Sequence, residues 1–323
     1  MKKEFFYFIA VLITLITGFI FYNNKLDSSL PVVAIANYGP HTSLDAAIAG
    51  FKEQMKAEGF IENQTIHYEI TDIGFDHALI PQTIASLRTH LPKAMVVVST
   101  PVAQFAKGKV KNLPLVYSSV TDPVDVGLLQ EYNKSDNNMT GSSDMQDLKS
   151  LLQFAKFLLP NAKSIGLLYA TSDSNDTSLV KLMQSAALEY DMSVVAIPVE
   201  QAREVPIRMQ GFKGKVDLIY VGVSGPIQPT LPAIAVEARK MCIPVFNADV
   251  QAVRDGLAIA GFGVDYYSVG RNTGKLVSAI LHGKKISELV PIYPSAQDHH
   301  GVINKKLAIE LGITIPSNIE VVE

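Results

Sequence analysis

Val33-Ala-Ile-Ala-Asn-Tyr-Gly-Pro40 runs a β-branched apolar segment straight into a cluster of small and polar residues, and the chain repeats that junction five more times. The second and third are Met95-Val-Val-Val-Ser-Thr-Pro101 and Leu115-Val-Tyr-Ser-Ser-Val-Thr-Asp122. The last three are Ile165-Gly-Leu-Leu-Tyr-Ala-Thr-Ser172, Leu218-Ile-Tyr-Val-Gly-Val-Ser-Gly225 and Val245-Phe-Asn-Ala-Asp249. Near-continuous apolar runs mark strands buried on both faces, as in a parallel sheet covered by helices on each side. Ligands of open parallel sheets bind beyond the carboxyl ends of the strands, which is where these small polar residues fall. Three junctions lie in each half of the chain, and this predicts two sheets with two ligand-facing rims.

Between the junctions lie amphipathic segments. Ser43 is placed to cap a helix in which Leu44, Ile48, Phe51 and Met55 recur at helical spacing, with Gly59 ending it. Asp147–Leu159, Leu179–Tyr190, Leu231–Met241 and Ser268–His282 repeat the pattern. Strands alternating with helices of this length call for right-handed crossovers and an α/β fold. A dozen strands do not suit one sheet, so the chain reads as two doubly wound parallel-sheet lobes. Leu257–Gly263 is one more strand, assigned to the first lobe. That assignment divides the chain into 31–142 plus 249–282 for lobe 1 and 143–248 plus 283–323 for lobe 2, with the crossing segments as a hinge.

Composition narrows the function. The 323 residues are 48% apolar and 18% charged with a formal charge of −3, so they lack the basic footprint of a nucleic-acid binder. The single cysteine, Cys242, excludes an intrachain disulfide and reads as a small buried hydrophobe between a helix and the strand that follows. Lys2-Lys3 precede Phe5–Tyr22, an apolar run of 18 residues, long enough to span a bilayer with the lysines kept in the cytoplasm. Bulky Phe19-Ile-Phe-Tyr22 stands where signal cleavage needs small residues. Residues 1–24 are therefore expected to be a signal sequence or, by preference, an uncleaved membrane anchor. The folded remainder is expected on the periplasmic face of the inner membrane.

The junctions suit binding better than catalysis. GxSxG, GxGxxG, P-loop, HExxH and CxxC patterns do not occur, so neither an enzyme, a cofactor nor a metal is expected. His299-His300 are adjacent and read as solvated loop residues. Ser99-Thr100-Pro101 opens a helix whose free N–H groups, with the Thr100 hydroxyl, suit a carboxylate, or simply a structural cap. Asp122 and Asp249 each follow a strand, where they either cap a turn or receive a ligand ammonium or hydroxyl. Tyr38 can stack on a flat ligand, and His41 either caps the first helix or touches the ligand.

Several strings resemble one family: Ser43-Leu-Asp-Ala-Ala-Ile-Ala-Gly-Phe-Lys52, Ser99-Thr-Pro-Val-Ala-Gln104, Ser119-Val-Thr-Asp-Pro-Val124 and Gly263-Val-Asp-Tyr-Tyr-Ser-Val-Gly-Arg-Asn-Thr-Gly-Lys275. Together with Leu307-Ala-Ile-Glu-Leu-Gly-Ile-Thr-Ile-Pro316 they resemble the ABC-transporter substrate-binding proteins that include tryptophan/tyrosine-type members. The resemblance covers about residues 31–316 and implies a type I periplasmic-binding-protein fold. It places a small ligand between Tyr38, His41, Thr100-Pro101 and Asp122 of one lobe and Asn175, Ser224 and Asp249 of the other. It also implies capture of an amino-acid-like solute, an aromatic one among the candidates, by closure of the lobes. The implied partners are an ABC permease and its ATPase. The alternative is a membrane-tethered ligand sensor with the same lobes. The chain departs from the family pattern at Ala170-Thr-Ser172 and Val223-Ser-Gly225, both on the second rim, where the choice of ligand is expected to reside.

Overall fold

Two sheets carry the strands of the computed structural model, which describes residues 30–317 and 319–323. The first contains β1 (Val32–Asn37), β2 (His67–Asp72), β3 (Ala94–Val98), β4 (Leu115–Val120) and β5 (Met139–Ser143), parallel throughout and ordered β2-β1-β3-β4-β5. The second contains β6 (Ser164–Ala170), β7 (Ser193–Val199), β8 (Leu218–Val221), β9 (Val245–Asn247), β10 (Ala260–Val264), β11 (His299–Asn304) and β12 (Glu320–Val322). Its order is β12-β11-β10-β9-β8-β6-β7. The six junctions divide as the sequence suggests, since β1, β3 and β4 lie in one sheet and β6, β8 and β9 in the other. The second sheet is mixed rather than purely parallel, because β11 runs antiparallel to β10.

Helices cover both faces of each sheet, which is why the strands read as unbroken apolar runs. In the first lobe, Val33, Ile35, Val96 and Val98 meet Phe51 and Met55 of α1 (Thr42–Ala57). The alternate residues Ala34, Ala36, Met95 and Val97 face the other way. They meet Ile84 and Leu87 of α2 (Ile80–Thr89) and Val102 and Ala106 of α3 (Thr100–Lys109). In the second lobe, Ile165, Leu167 and Leu218 pack on α4 (Leu148–Leu158) and α5 (Ser174–Leu188). Leu168, Ile219 and Val221 pack on α6 (Val205–Met209) and α7 (Leu231–Lys240). The period of two thus sorts each strand onto two cores. Each fully buried aliphatic side chain contributes about 1.5–3 kcal/mol.

The chain crosses between the sheets three times: after β5, after β10, and between Ile292 and His299. Three expectations are corrected here. The segment 249–264, comprising Asp249, α8 (Gln251–Arg254) and β10, belongs to the second lobe, because β10 pairs parallel with β9 and antiparallel with β11. The first lobe regains the chain only at α9 (Tyr266–Leu281) and keeps it to Ile292, whose N–H donates to the Gly141 carbonyl at 2.9 Å. Apolar patterning marks a strand but not its pairing partner, so the boundary at 249 was out of its reach. His299 and His300 begin β11 instead of lying in a loop; the His299 ring stacks on Phe262 at 6.0 Å and its Nε2 lies 3.1 Å from the Asp147 N–H. Cys242 is exposed, not buried, because α7 ends just before it and the backbone turns left-handed there with φ 55°. The helix α10 (Lys305–Glu310) completes the second lobe. The expected signal or anchor over residues 1–24 lies outside the described residues.

Candidate functional site

Counted within its own lobe, the first sheet has the strand order 2-1-3-4-5 and the second 2-1-3-4-5-6-7, and each therefore has a switch point beside its first strand. In the first lobe that point lies between the ends of β1 and β3, and in the second between those of β6 and β8. The two rims face one another. A cavity lies between them. Tyr38, His41 and Ser43 enter it from the β1 rim, and Ser99 and Ser119 from the ends of β3 and β4. Val223, Ser224 and Gly225 enter from the β8 rim, and Asp249 follows β9. Asp144 and Tyr266 stand on two of the crossing segments and close the back.

Four of the residues expected at the site, Tyr38, His41, Ser224 and Asp249, line this cavity. The other four, Thr100, Pro101, Asp122 and Asn175, do not. Thr100 and Pro101 form the buried first turn of α3, and the preceding Ser99 takes the cavity position instead. Asp122 is a turn cap: Oδ1 accepts the N–H groups of Val124 and Asp125 at 3.0 Å each, and Oδ2 accepts the Tyr132 hydroxyl at 2.9 Å. Asn175 ties the start of α5 to the β8 rim, donating from Nδ2 to the Val223 carbonyl at 3.3 Å.

Ser119, Asp144 and Tyr266 line the cavity without having been singled out from sequence. Ser99 and Ser119 hold φ at 80° and 56°, a region costly for residues other than glycine and concentrated at functional sites. The bend at Ser119 shifts the β4–β5 register between Ser118 and Val120 and leaves its buried Oγ without a partner. Nothing in the string Ser142-Ser-Asp-Met145 marks Asp144. Only the pairing of β5 beside β4 brings it to the cleft, and that pairing depends on Gly141, whose Cβ would fall 2.3 Å from the Tyr117 ring.

The electrostatics are one-sided. Asp144 and Asp249 line the cavity, and no lysine or arginine does so among the described residues. Burial pushes the Asp144 carboxyl up to about 6, although the Tyr266 hydroxyl and the Thr121 side chain draw it down. Burial likewise holds the His41 imidazole below its ordinary value against the pull of Asp249, so the ring is neutral near pH 7. Its Nδ1 accepts the Ser43 N–H at 3.3 Å as a neutral ring can. The Tyr38 hydroxyl is fully buried, has no partner, and is held well above its usual range by burial and by Asp173 and Asp176 nearby. Beneath Ser224, Asp176 accepts that hydroxyl at 2.7 Å and the Ala170 N–H at 2.6 Å, and burial pushes its carboxyl up to about 7.

Bonds from lobe to lobe surround the cavity. Ser43 Oγ donates to Asp249 Oδ2 at 2.5 Å, and Ser174 Oγ to Gln104 Oε1 at 2.9 Å. Ser178 donates to Asp125. His77 Nε2 lies 2.6 Å from Asp173 Oδ1. Asp173, Ser174 and Ser178 belong to the first turns of α5 and its cap, so that one end of a helix meets three separate elements of the first lobe. Tyr38 and Phe75 reach Gly225 directly, since a Cβ at position 225 would lie 2.5 Å from the Tyr38 ring.

The family model for ABC transporter substrate binding proteins matches residues 32–322. A curated tyrosine-binding protein of Clostridioides difficile (strain R20291) is 30% identical over 269 residues, covering 83% of this chain and 77% of that protein. The ABC domain of Streptococcus pneumoniae in complex with L-Trp superposes with a TM-score of 0.86 at 26% identity, covering 91% of this chain and 100% of that one. A ligand-free, open structure of a substrate-binding protein from Clostridium difficile gives a TM-score of 0.71 at 27% identity, covering 91% of this chain and 99% of that one.

Proposed function

Because the chain belongs to the ABC transporter substrate-binding protein family, we propose that its cleft captures an aromatic amino acid outside the cytoplasm and delivers it to a permease and ATPase pair. The lobes close on the ligand, and residues 1–24 hold the protein at the membrane. The observation that carries this reading is the cavity between the two rims, where the rings of Tyr38, Phe75 and Tyr266 stand beside two carboxylates with no lysine or arginine among the described residues. The rings offer a surface for a flat side chain. The carboxylates suit an ammonium, and the hydroxyls of Ser99 and Ser119 suit a ligand carboxylate. The family is one of solute binders rather than enzymes, and membership in it favours delivery over the tethered-sensor alternative.

Calorimetry of the folded part, residues 30–323, with L-tryptophan, L-tyrosine, L-phenylalanine, L-leucine, L-glutamate and L-aspartate tests this. At least one aromatic member is expected to bind with a Kd near or below the micromolar range, roughly 8 kcal/mol. The two acidic members are expected to give no heat, since no cation in the cavity answers their side chains. Heat from L-glutamate alone, or from none of the six, would end the proposal.

The bond between His77 and Asp173 adds a pH dependence. The Asp173 hydrogen bond holds the His77 imidazole above its ordinary value, most of all, and burial opposes it. The closed arrangement thus favours the protonated ring. The stabilisation is present at low pH and is lost as pH rises through the raised value. His77 is partly exposed, so the pair contributes only about 1 kcal/mol. Release of L-tryptophan is expected to quicken about fivefold from pH 6 to pH 9, and His77→Asn is expected to flatten that part of the profile. The protein has no tryptophan of its own, so stopped-flow indole fluorescence reads the ligand directly. Because Asp176 titrates nearby, the difference between the two proteins is the measure. Identical profiles would remove His77 from closure.

A further inference from the structure

Asp144 is buried, 3% exposed, and stands on the first crossing segment just after β5. One oxygen, Oδ2, accepts the Tyr266 hydroxyl at 2.9 Å. The other, Oδ1, is buried and meets no donor at hydrogen-bonding geometry, although the Thr121 side chain lies near enough to the carboxyl to draw its pKa down. Tyr266 follows β10 on the second crossing segment, so this bond ties together two of the three passages between the lobes. An unpartnered carboxylate oxygen inside a protein costs free energy unless a donor arrives from elsewhere. Among the described residues that line the cavity there is no lysine or arginine to supply one. Asp249, the other carboxylate there, is already engaged: Oδ2 accepts Ser43 Oγ at 2.5 Å, and Oδ1 accepts the Gln251 N–H at 2.9 Å.

We propose that Asp144 Oδ1 is the receptor for the ligand's ammonium group, and that the amine is thereby recognised at the hinge and not on either rim. The assignment rests on the reading of the cleft as an amino-acid site. It makes Asp144 a specificity-determining residue that selects α-amino acids over the corresponding acids without an amine. Asp249 serves instead to join the lobes through Ser43. An ammonium on Oδ1 completes a chain from ligand to Asp144 to Tyr266 that touches both crossing segments, so amine recognition and the lobe arrangement share the same residues.

The test compares ligands with and without the amine on three proteins. Wild-type protein, Asp144→Asn and Asp249→Asn are titrated with L-tyrosine and 3-(4-hydroxyphenyl)propionate, and with L-tryptophan and indole-3-propionate. Wild type is expected to prefer each amino acid over its amine-free counterpart by roughly 30-fold or more, the effect of one charge-assisted bond in a buried site. In Asp144→Asn that preference is expected to shrink to within about threefold. In Asp249→Asn both ligands of a pair are expected to weaken together, leaving the ratio near its wild-type value. If the ratio collapses in Asp249→Asn and persists in Asp144→Asn, the ammonium sits on Asp249 and the assignment is wrong. The wild-type titrations stand alone should Asp144→Asn fold poorly. Equal binding of both members of a pair to wild type overturns the assignment, whereas no binding of either amino acid overturns the amino-acid reading beneath it. Thermal melting of Asp144→Asn without ligand supplies the control, since removing a buried carboxylate is expected to leave the fold intact.

Discussion

Gly225→Val is expected to weaken ligand capture at least 100-fold while leaving the melting temperature of the ligand-free protein within about 2 °C of wild type. Position 225 lies on the β8 rim of the second lobe, and what it meets belongs to the first. A Cβ there would stand 2.5 Å from Tyr38 Cε1, 3.0 Å from Cδ1 and 3.6 Å from Phe75 Cδ1. Tyr38 cannot swing aside cheaply. It is fully buried, with Phe75 edge-on at 5.3 Å and His77 at 5.4 Å. Valine therefore opposes the approach of the lobes, not the packing within either of them. A ligand held by one rim loses every contact from the other. Small-angle scattering supplies the second readout: ligand-saturated wild type is expected to contract, and the variant to keep the dimensions of its free form. Binding by Gly225→Val within threefold of wild type would show that capture does not need Tyr38 and the β8 rim so close.

The same glycine shows where the sequence is legible and where it is not. The six apolar junctions announce β1, β3, β4, β6, β8 and β9, because a strand covered by helices on both faces has no polar positions to break the run. β5 escapes that reading. Met139-Thr-Gly-Ser-Ser143 is fully buried yet carries hardly any apolar side chain, since small residues are what fit beside Tyr117 and the crossing segment. β11 escapes as well, its first half being His-His-Gly at the hinge. The site follows the same division. Tyr38, His41, Ser224 and Asp249 stand directly after apolar strands, where open parallel sheets hold ligands. Asp144 and Tyr266 come from crossing segments that only long-range pairing brings together. Thr100 and Asp122 suit a ligand by residue type alone, but Thr100 is buried in the first turn of α3 and Asp122 bonds locally. Asp122 caps its own turn. Val223-Ser-Gly225 departs from the family pattern in sequence, and in the structure that departure becomes the glycine against which Tyr38 packs.

One substitution made at two glycines is expected to have opposite signs. Gly270 lies inside α9, where alanine ordinarily favours a helix by about 1 kcal/mol. Here α9 returns to the first lobe after its passage through the second and lies backbone-to-backbone on α1. A Cβ on Gly270 would fall 1.8 Å from the Ala47 carbonyl oxygen, and one on Gly50 would fall 2.0 Å from the Tyr267 carbonyl oxygen. Gly274 is crowded by Gln54 at 2.8 Å and the Phe51 carbonyl at 3.0 Å. No side-chain rotation relieves a collision with backbone, so the two helices must separate along their length and Phe51, Met55, Leu276 and Val277 must give up part of their shared core. Gly270→Ala is expected to cost about 3 kcal/mol and to lower the first-lobe melting temperature by about 6–12 °C. Gly108 is the counterpart. It lies on the exposed side of α3, with nothing within 4 Å of a Cβ and no left-handed backbone angle. Gly108→Ala is expected to stabilise by about 0.5 kcal/mol, through helix propensity and a less disordered unfolded chain. Differential scanning calorimetry of the two variants separates the effects. A neutral Gly270→Ala would mean that α1 and α9 do not lie so close, and with them would go the route by which the chain re-enters its first lobe.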